Sequence, residues 1–248
     1  MAINVLSFGN SFSNDAQKYL HYLAKSEGVD MQTADLCIGG CPLDKHFRNM
    51  MGDKKDYELG INGNPTGFKM TISEALLARN WDYITLQQAS NFSFKYETYT
   101  PYINELAEYI RELCPKAKIL IHQTWGYESY SERIQSQGFE TYDEMFAKVK
   151  ESYDNAAKEI EADGIIPCGE VLQAAQKNGM AKVHRDGFHA GLGAGRFMLA
   201  LTWYKYITGN SIDNVKFDGF EFDGKPVEVT EEEYKIAIKS VNDILRGM

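Results

Sequence analysis

Two short segments, one near each end of the chain, carry the side chains best able to do chemistry together. The first is Phe8-Gly9-Asn10-Ser11-Phe12-Ser13. It falls where the apolar strand pattern Ile3 to Phe8 hands over to a helical one, and in open α/β sheets that carboxyl edge is where ligands bind. Gly9 permits the tight turn. Ser11 is then placed at a helix N-terminus, near unpaired N–H groups and the positive end of the dipole. That place suits a hydroxyl attacking a carbonyl, because negative charge develops beside it. Taken alone, the segment reads first as a helix cap by Ser11 or Ser13.

The second segment is Arg185-Asp186-Gly187-Phe188-His189. A serine nucleophile needs a base, and histidine is the residue suited to that near neutral pH. The base needs a carboxylate on its other ring nitrogen to fix its tautomer. Asp186 and His189 sit close enough in sequence to meet within one turn. A surface loop with a chance histidine is the bland reading; against it, the chain has only 5 His, and this one follows the last sheet elements.

The elements that would position these residues form β-α units around a parallel sheet. Strand patterns fall at Ile3 to Phe8, Asp30 to Ile38, Trp81 to Leu86, Lys118 to His122 and Gly164 to Pro167. Helical patterns include Tyr102 to Leu113, a stretch opened by the Thr141/Glu144 capping box and reaching about Ile160, and about Gly191 to Ile207. Residues 57–70, with the turn signal Asn62-Gly63, read as a hairpin or rim excursion. From about residue 211 a C-terminal addition begins. Asp223-Gly224 marks a second hairpin there, and the Thr230/Glu233 capping box opens a final helix whose inner face carries Tyr234, Ala237, Ile238, Val241 and Leu245. One domain spanning residues 1–248 is the expected organisation.

Gly9-Asn10-Ser11-Phe12 and Asp186-Gly187-Phe188-His189 together resemble the SGNH/GDSL hydrolase superfamily, in wording closest to an uncharacterised bacterial branch. The resemblance implies a three-layer α/β/α sandwich, flavodoxin-like, with about five parallel strands. It implies Ser11 as nucleophile, His189 as base and Asp186 as its orienter. It also implies an oxyanion hole made by the N–H of Ser11, a glycine N–H and an asparagine side chain. Ile38-Gly39-Gly40-Cys41 is similar to the glycine block, with Gly40 favoured over Gly39. Leu86-Gln87-Gln88-Ala89-Ser90-Asn91 is similar to the asparagine block, with Asn91 favoured over Gln88. Two departures stand out: Asn10 replaces the usual Asp of the first block, and the third block lacks its Gly-x-Asn-Asp form. The activity implied is hydrolysis of a small ester, an O-acetylated carbohydrate being the favoured guess, with no cofactor and no metal.

Asn10, Gln88 and Trp125 are candidate substrate contacts. Trp125 and Tyr127 follow the fourth strand, where they would stack on a sugar, cover an acyl group or simply pack. His46 reads as a helix surface residue rather than a second base; His184 and Arg185 read equally as neighbours of the site or as a solvated loop. Gly191-Leu192-Gly193-Ala194-Gly195 lacks the spacing and preceding strand of a nucleotide loop and reads as close packing at a helix start. Two other readings remain: a ligand-binding domain that kept the fold without turnover, and a flavin or nucleotide binder, which would leave Ser11, Asp186 and His189 without a joint role.

Composition narrows the partners. Of 248 residues, 44% are apolar and 25% charged, the net charge is −9, and no basic stripe is visible, which argues against nucleic acid. The 4 Cys are few and scattered and read as inert thiols. The N-terminus shows neither a signal peptide nor a membrane span, so a cytoplasmic protein acting on a small-molecule ester is expected.

Overall fold

The computed structural model describes residues 2–217, 220–222 and 225–247. Five parallel strands form the centre: β1 (Ile3–Gly9), β2 (Met31–Cys37), β5 (Tyr83–Leu86), β6 (Lys118–His122) and β7 (Gly164–Ile166). They lie in the order β2-β1-β5-β6-β7, the flavodoxin-like arrangement. Parallel strands are covered on both faces, so they read as continuous apolar runs rather than alternating ones. Accordingly Val5, Leu6, Phe8, Ile84, Leu86, Ile119 and Ile121 are all buried.

The Tyr57 to Met70 stretch extends this sheet. Here β3 (Tyr57–Ile61) pairs antiparallel with β2, and β4 (Asn64–Met70) pairs antiparallel with β3, giving seven strands. Asn62 and Gly63 both have positive φ, 51° and 75°, as a tight hairpin turn requires. Gly63 is also needed for space: a Cβ there would lie 2.5 Å from the Lys18 carbonyl oxygen.

Helices flank the sheet. On one side α1 (Ser11–Gln17), α2 (Leu20–Ser26), α8 (Cys168–Lys177), α9 (Ala194–Thr208) and α10 (Glu231–Ile244) pack among themselves. A second set is α3 (Leu43–Met51), α4 (Ile72–Leu77) and α5 (Tyr102–Leu113), with the short α6 (Glu132–Gln135) and long α7 (Tyr142–Glu159) following β6. Thr141/Glu144 and Thr230/Glu233 form complete capping boxes at α7 and α10, and Thr71/Glu74 forms a third at α4 that the sequence reading passed over. The glycines before α9 serve close packing: a Cβ on Gly193 would meet the Glu228 oxygen at 2.5 Å. In the C-terminal addition, β8 (Glu221–Phe222) pairs antiparallel with β9 (Lys225–Pro226). The Asp223-Gly224 turn lies outside the described residues.

His46 departs from expectation. It is fully buried in α3, its Nδ1 lies 2.9 Å from the Tyr57 hydroxyl, and its ring is stacked with Phe8 and Tyr57. Burial pushes its pKa down to about 3. The apolar contact that covers it comes from Phe8 of β1 and Tyr57 of β3, which are distant in sequence.

Candidate active site

Ser11 opens α1 directly after β1. The N-cap is Asn10, whose Oδ1 accepts from the Phe12 N–H at 3.0 Å. The cap leaves the Ser11 N–H without a partner among the described residues. Ser11 Oγ lies 2.8 Å from Nε2 of His189, whose Nδ1 lies 2.7 Å from Asp186 Oδ2. A carboxylate can only accept, so Nδ1 carries the proton and Nε2 offers its lone pair to the serine hydroxyl. Asp186 is placed by its own turn, with Oδ1 accepting from the N–H of His189 at 2.9 Å and of Phe188 at 3.4 Å. Partial burial pushes this carboxyl up, but the bonds from the His189 ring and from these N–H groups outweigh it, and its pKa falls below the ordinary value.

The loop bearing Asp186 and His189 is tied down on every side. Gly187 adopts φ 87° and its carbonyl accepts from the Glu128 N–H at 2.7 Å. Trp125 Nε1 donates to the Phe188 carbonyl at 2.7 Å, and the Trp125 ring stacks on Phe12 at 4.3 Å. His184, which the sequence left as a solvated loop residue, is buried against the Gly126 carbonyl at 2.9 Å, and burial lowers its pKa to about 4. The Phe188 ring centroid lies 3.8 Å from that of His189, and the Arg133 guanidinium sits over the Phe188 ring, 3.8 Å from its centroid.

The strongest tie is Asp15, one helical turn beyond Ser11. Its buried carboxylate accepts from Arg185 Nη1 at 3.0 and 2.9 Å, from Arg196 Nε at 2.9 Å and from the Ala190 N–H at 3.1 Å. It thus joins the helix carrying the serine to both ends of the loop carrying the histidine. Neither Asp15 nor Arg196 was singled out from sequence. Arg196 gave a signal: it is the lone charge in the apolar run Gly195 to Trp203, and a cation there needs a buried acid.

Three expected substrate contacts turn inward instead. Trp125 is fully buried and supports the histidine loop. Gln88 is 1% exposed; its Oε1 accepts from the N–H of Leu43 and Ala89, and its Nε2 donates to Thr98. Asn10 is also buried, and besides Phe12 its Oδ1 accepts from Gln87 Nε2 at 2.9 Å while its Nδ2 donates to the Cys41 carbonyl at 3.3 Å. Gln87 in turn accepts from His122 Nδ1 at 2.6 Å. These amides have the polarity of binding residues, but their partners lie on loops, helix starts and strand ends that only the folded sheet brings together. Because all its bonds are internal, Gln88 is also removed as a rival to Asn91.

Gly39 and Gly40 are both exposed, and neither N–H has a partner among the described residues; Gly40 has φ 61°. Asn91 is exposed on the turn after β5, and its side chain makes no hydrogen bond among the described residues.

A mostly parallel seven-strand sheet flanked by helices, with these blocks at successive strand ends, is the GDSL-like hydrolase fold. Residues 4–240 match the model of a family described as a domain of unknown function, DUF4886. The chain belongs to that family. The crystal structure of a DUF4886 family protein from Bacteroides uniformis is similar with 31% identity over 99% of this chain and 96% of that one, at a TM-score of 0.90. A member of the lipolytic G-D-S-L family from Veillonella parvula is 16% identical over 83% and 98%, at 0.52. A mutant of the acetylxylan esterase Axe2 from Geobacillus stearothermophilus is 13% identical over 83% and 94%, at 0.54. No curated protein matches the sequence. Among the described residues no helix is long and apolar enough to cross a membrane.

Proposed function

We propose that this protein is a serine hydrolase that cleaves a small carboxylic ester through an acyl-enzyme, an O-acetylated carbohydrate being the favoured substrate. The observation that carries the reading is the chain of contacts from Ser11 Oγ through His189 to Asp186, 2.8 and 2.7 Å, drawn from opposite ends of the sequence. His189 takes the hydroxyl proton as Ser11 attacks the carbonyl, then gives it to the departing alcohol. Asp186 holds the ring in the tautomer that presents Nε2 and stabilises its charged form. The free N–H of Ser11, the N–H of Gly40 and the Asn91 amide are assigned to the oxyanion; each such donor is worth on the order of 100- to 1,000-fold in rate. Water, activated by the same histidine, then releases the acid. The likeness to an acetylxylan esterase supports the fold, and the polar surroundings of α1 support a hydroxyl-rich alcohol.

The test is covalent. A fluorophosphonate should label Ser11, as located by mass spectrometry, and His189→Ala should abolish the labelling. Folded protein that takes up no label would leave a non-catalytic binding domain as the better account. Among p-nitrophenyl esters, acetate should be turned over faster than octanoate.

A further inference from the structure

A cleft of about 290 Å³ lies beside the serine helix, between α1 and the β3–β4 hairpin. Asn14 lines it from α1, Lys18 from the residue that caps the end of α1, Glu58 and Gly60 from β3, and Asp35 from β2. Ser11, Asn14 and Lys18 are spaced at i, i+3 and i+7, so they follow one helical stripe. The cleft therefore opens one turn, roughly 5 Å, from the serine. At its upper end Asn14 Nδ2 reaches Cys37 Sγ at 3.1 Å, next to the Gly39-Gly40 turn. At its lower end Lys18 Nζ closes onto the Gly63 carbonyl at 3.0 Å.

Resting on the hydrolase reading above, we infer that this cleft is the subsite for the alcohol half of the ester, and that it takes one neutral, polyhydroxylated ring such as a sugar residue. Three features point there. Most residues that line it carry polar side chains, and Asn14 Oδ1 and the Glu58 carboxylate have no hydrogen-bond partner among the described residues, so hydroxyls would satisfy them where an acyl tail would only strip their water. Its charges are of both signs, Lys18 and Arg196 against Asp35 and Glu58, which selects against a strongly charged ligand. Finally, the wall is shaped for occupancy. The β3–β4 pairing shifts register between Glu58 and Gly60, an irregularity of the kind found beside functional sites. Gly60 leaves room there, since the nearest atom to an added Cβ would be Asp35 Cβ at 3.6 Å.

Asp35 forms part of the floor. Its Oδ1 accepts from Ser13 at 2.8 Å, while Oδ2 is buried without a partner among the described residues. Burial raises its pKa to about 7, against the opposing bond from Ser13.

The experiment compares two unactivated acetates, ethyl acetate and a mono-O-acetylated methyl glucoside. The intact protein should favour the sugar ester by more than tenfold in kcat/KM, chiefly through KM. Gly60→Leu, which fills the cleft, should bring that ratio down toward one. Glu58→Trp, at the exposed mouth on a strand that tolerates aromatics, does the same without touching the interior and covers the case in which the first variant does not fold. A protein that hydrolyses both acetates with no preference, or variants that retain the preference, would overturn the subsite. Loss of the hydrolase reading looks different: no fluorophosphonate adduct and no turnover of either ester or of p-nitrophenyl acetate.

Discussion

Replacing Asp15 by asparagine keeps the size of the side chain and removes one buried charge. In the native protein that charge faces Arg185, whose side chain is 27% exposed, and Arg196, 7% exposed. The asparagine variant leaves two guanidinium groups against a neutral amide, and removing one partner from a buried ion pair costs about 3–5 kcal/mol. Against a total stability of roughly 5–15 kcal/mol, that is large but survivable, so the variant should fold with a visibly lower denaturation midpoint. The effect on chemistry follows a separate route. Asp15 accepts from the Ala190 N–H at 3.1 Å and from Arg185, the residues flanking the Asp186–His189 turn, and a misplacement of about 1 Å at the reacting groups costs on the order of 100-fold. Urea denaturation and the rate of fluorophosphonate labelling at a denaturant-free, folded temperature measure the two effects independently. A conservative Arg185→Lys change keeps the charge and should label faster than Asp15→Asn but more slowly than the parent, since Arg185 Nη1 serves both Asp15 oxygens and the Ala190 carbonyl and the shorter, differently shaped lysine does not hold all three. If Asp15→Asn is as stable as the parent and labels Ser11 at the parent's rate, the clamp between serine helix and histidine loop has no energetic content.

Acid should unfold the protein early. His46, His122 and His184 are buried with pKa values lowered to about 3, 3 and 4. Below about pH 6.5 the unfolded chain takes up protons that the folded chain refuses, so each group removes up to ~1.4 kcal/mol per pH unit as pH falls toward its folded value. Thermal midpoints measured from pH 8 to pH 4 should fall steeply below pH 6, and a flat profile would refute this. Asp186→Ala should lower kcat by several orders of magnitude with a small change in KM, because the ring loses its tautomer rather than its substrate; an unchanged kcat in steady-state assays would exclude the assigned role. Trp125→Phe keeps the stacking on Phe12 and deletes the bond to the Phe188 carbonyl, which should cost about 1 kcal/mol in stability and slow labelling of Ser11, both measurable on the same sample.

What could be read from the residues alone divides along a physical line. The parallel strands announced themselves as short, mainly apolar runs, and α7 and α10 through their capping boxes, because those signals are local. The Ser11 and Asp186–His189 segments were legible for the same reason: each is a short turn whose residue types have few other uses together. The supporting contacts were not legible. Gln88, Asn10 and Trp125 look like binding residues in one dimension, and only the sheet order, which sets β5 beside β1 and β6 beside β5, brings their polar atoms to partners far along the chain, among them Leu43, Cys41 and Phe188. His46 was misplaced on the surface because its cover comes from Phe8 and Tyr57. Long-range partners of this kind leave no periodicity to detect.

The amide at position 10, where the first block of the superfamily this sequence resembles has a carboxylate, follows from the same long-range contacts. Its oxygen serves two donors, the Phe12 N–H and Gln87 Nε2, while its nitrogen serves the Cys41 carbonyl at 3.3 Å. Cys41 directly follows Gly39-Gly40, so this bond ties the serine turn to the loop assigned to the oxyanion. An aspartate could still cap α1 and accept from Gln87. It could not donate to the Cys41 carbonyl, and it would set a second acceptor against that oxygen in a buried site. Asn10→Asp should therefore leave secondary structure intact, cost about 1–3 kcal/mol of stability, and weaken oxyanion binding specifically. The discriminating measurement is affinity for a tetrahedral mimic such as a boronic acid: it should fall at least tenfold while KM for a small acetate hardly changes. Equal losses in both would mean that the substitution merely loosens the pocket, and that the amide has no particular link to the glycine turn.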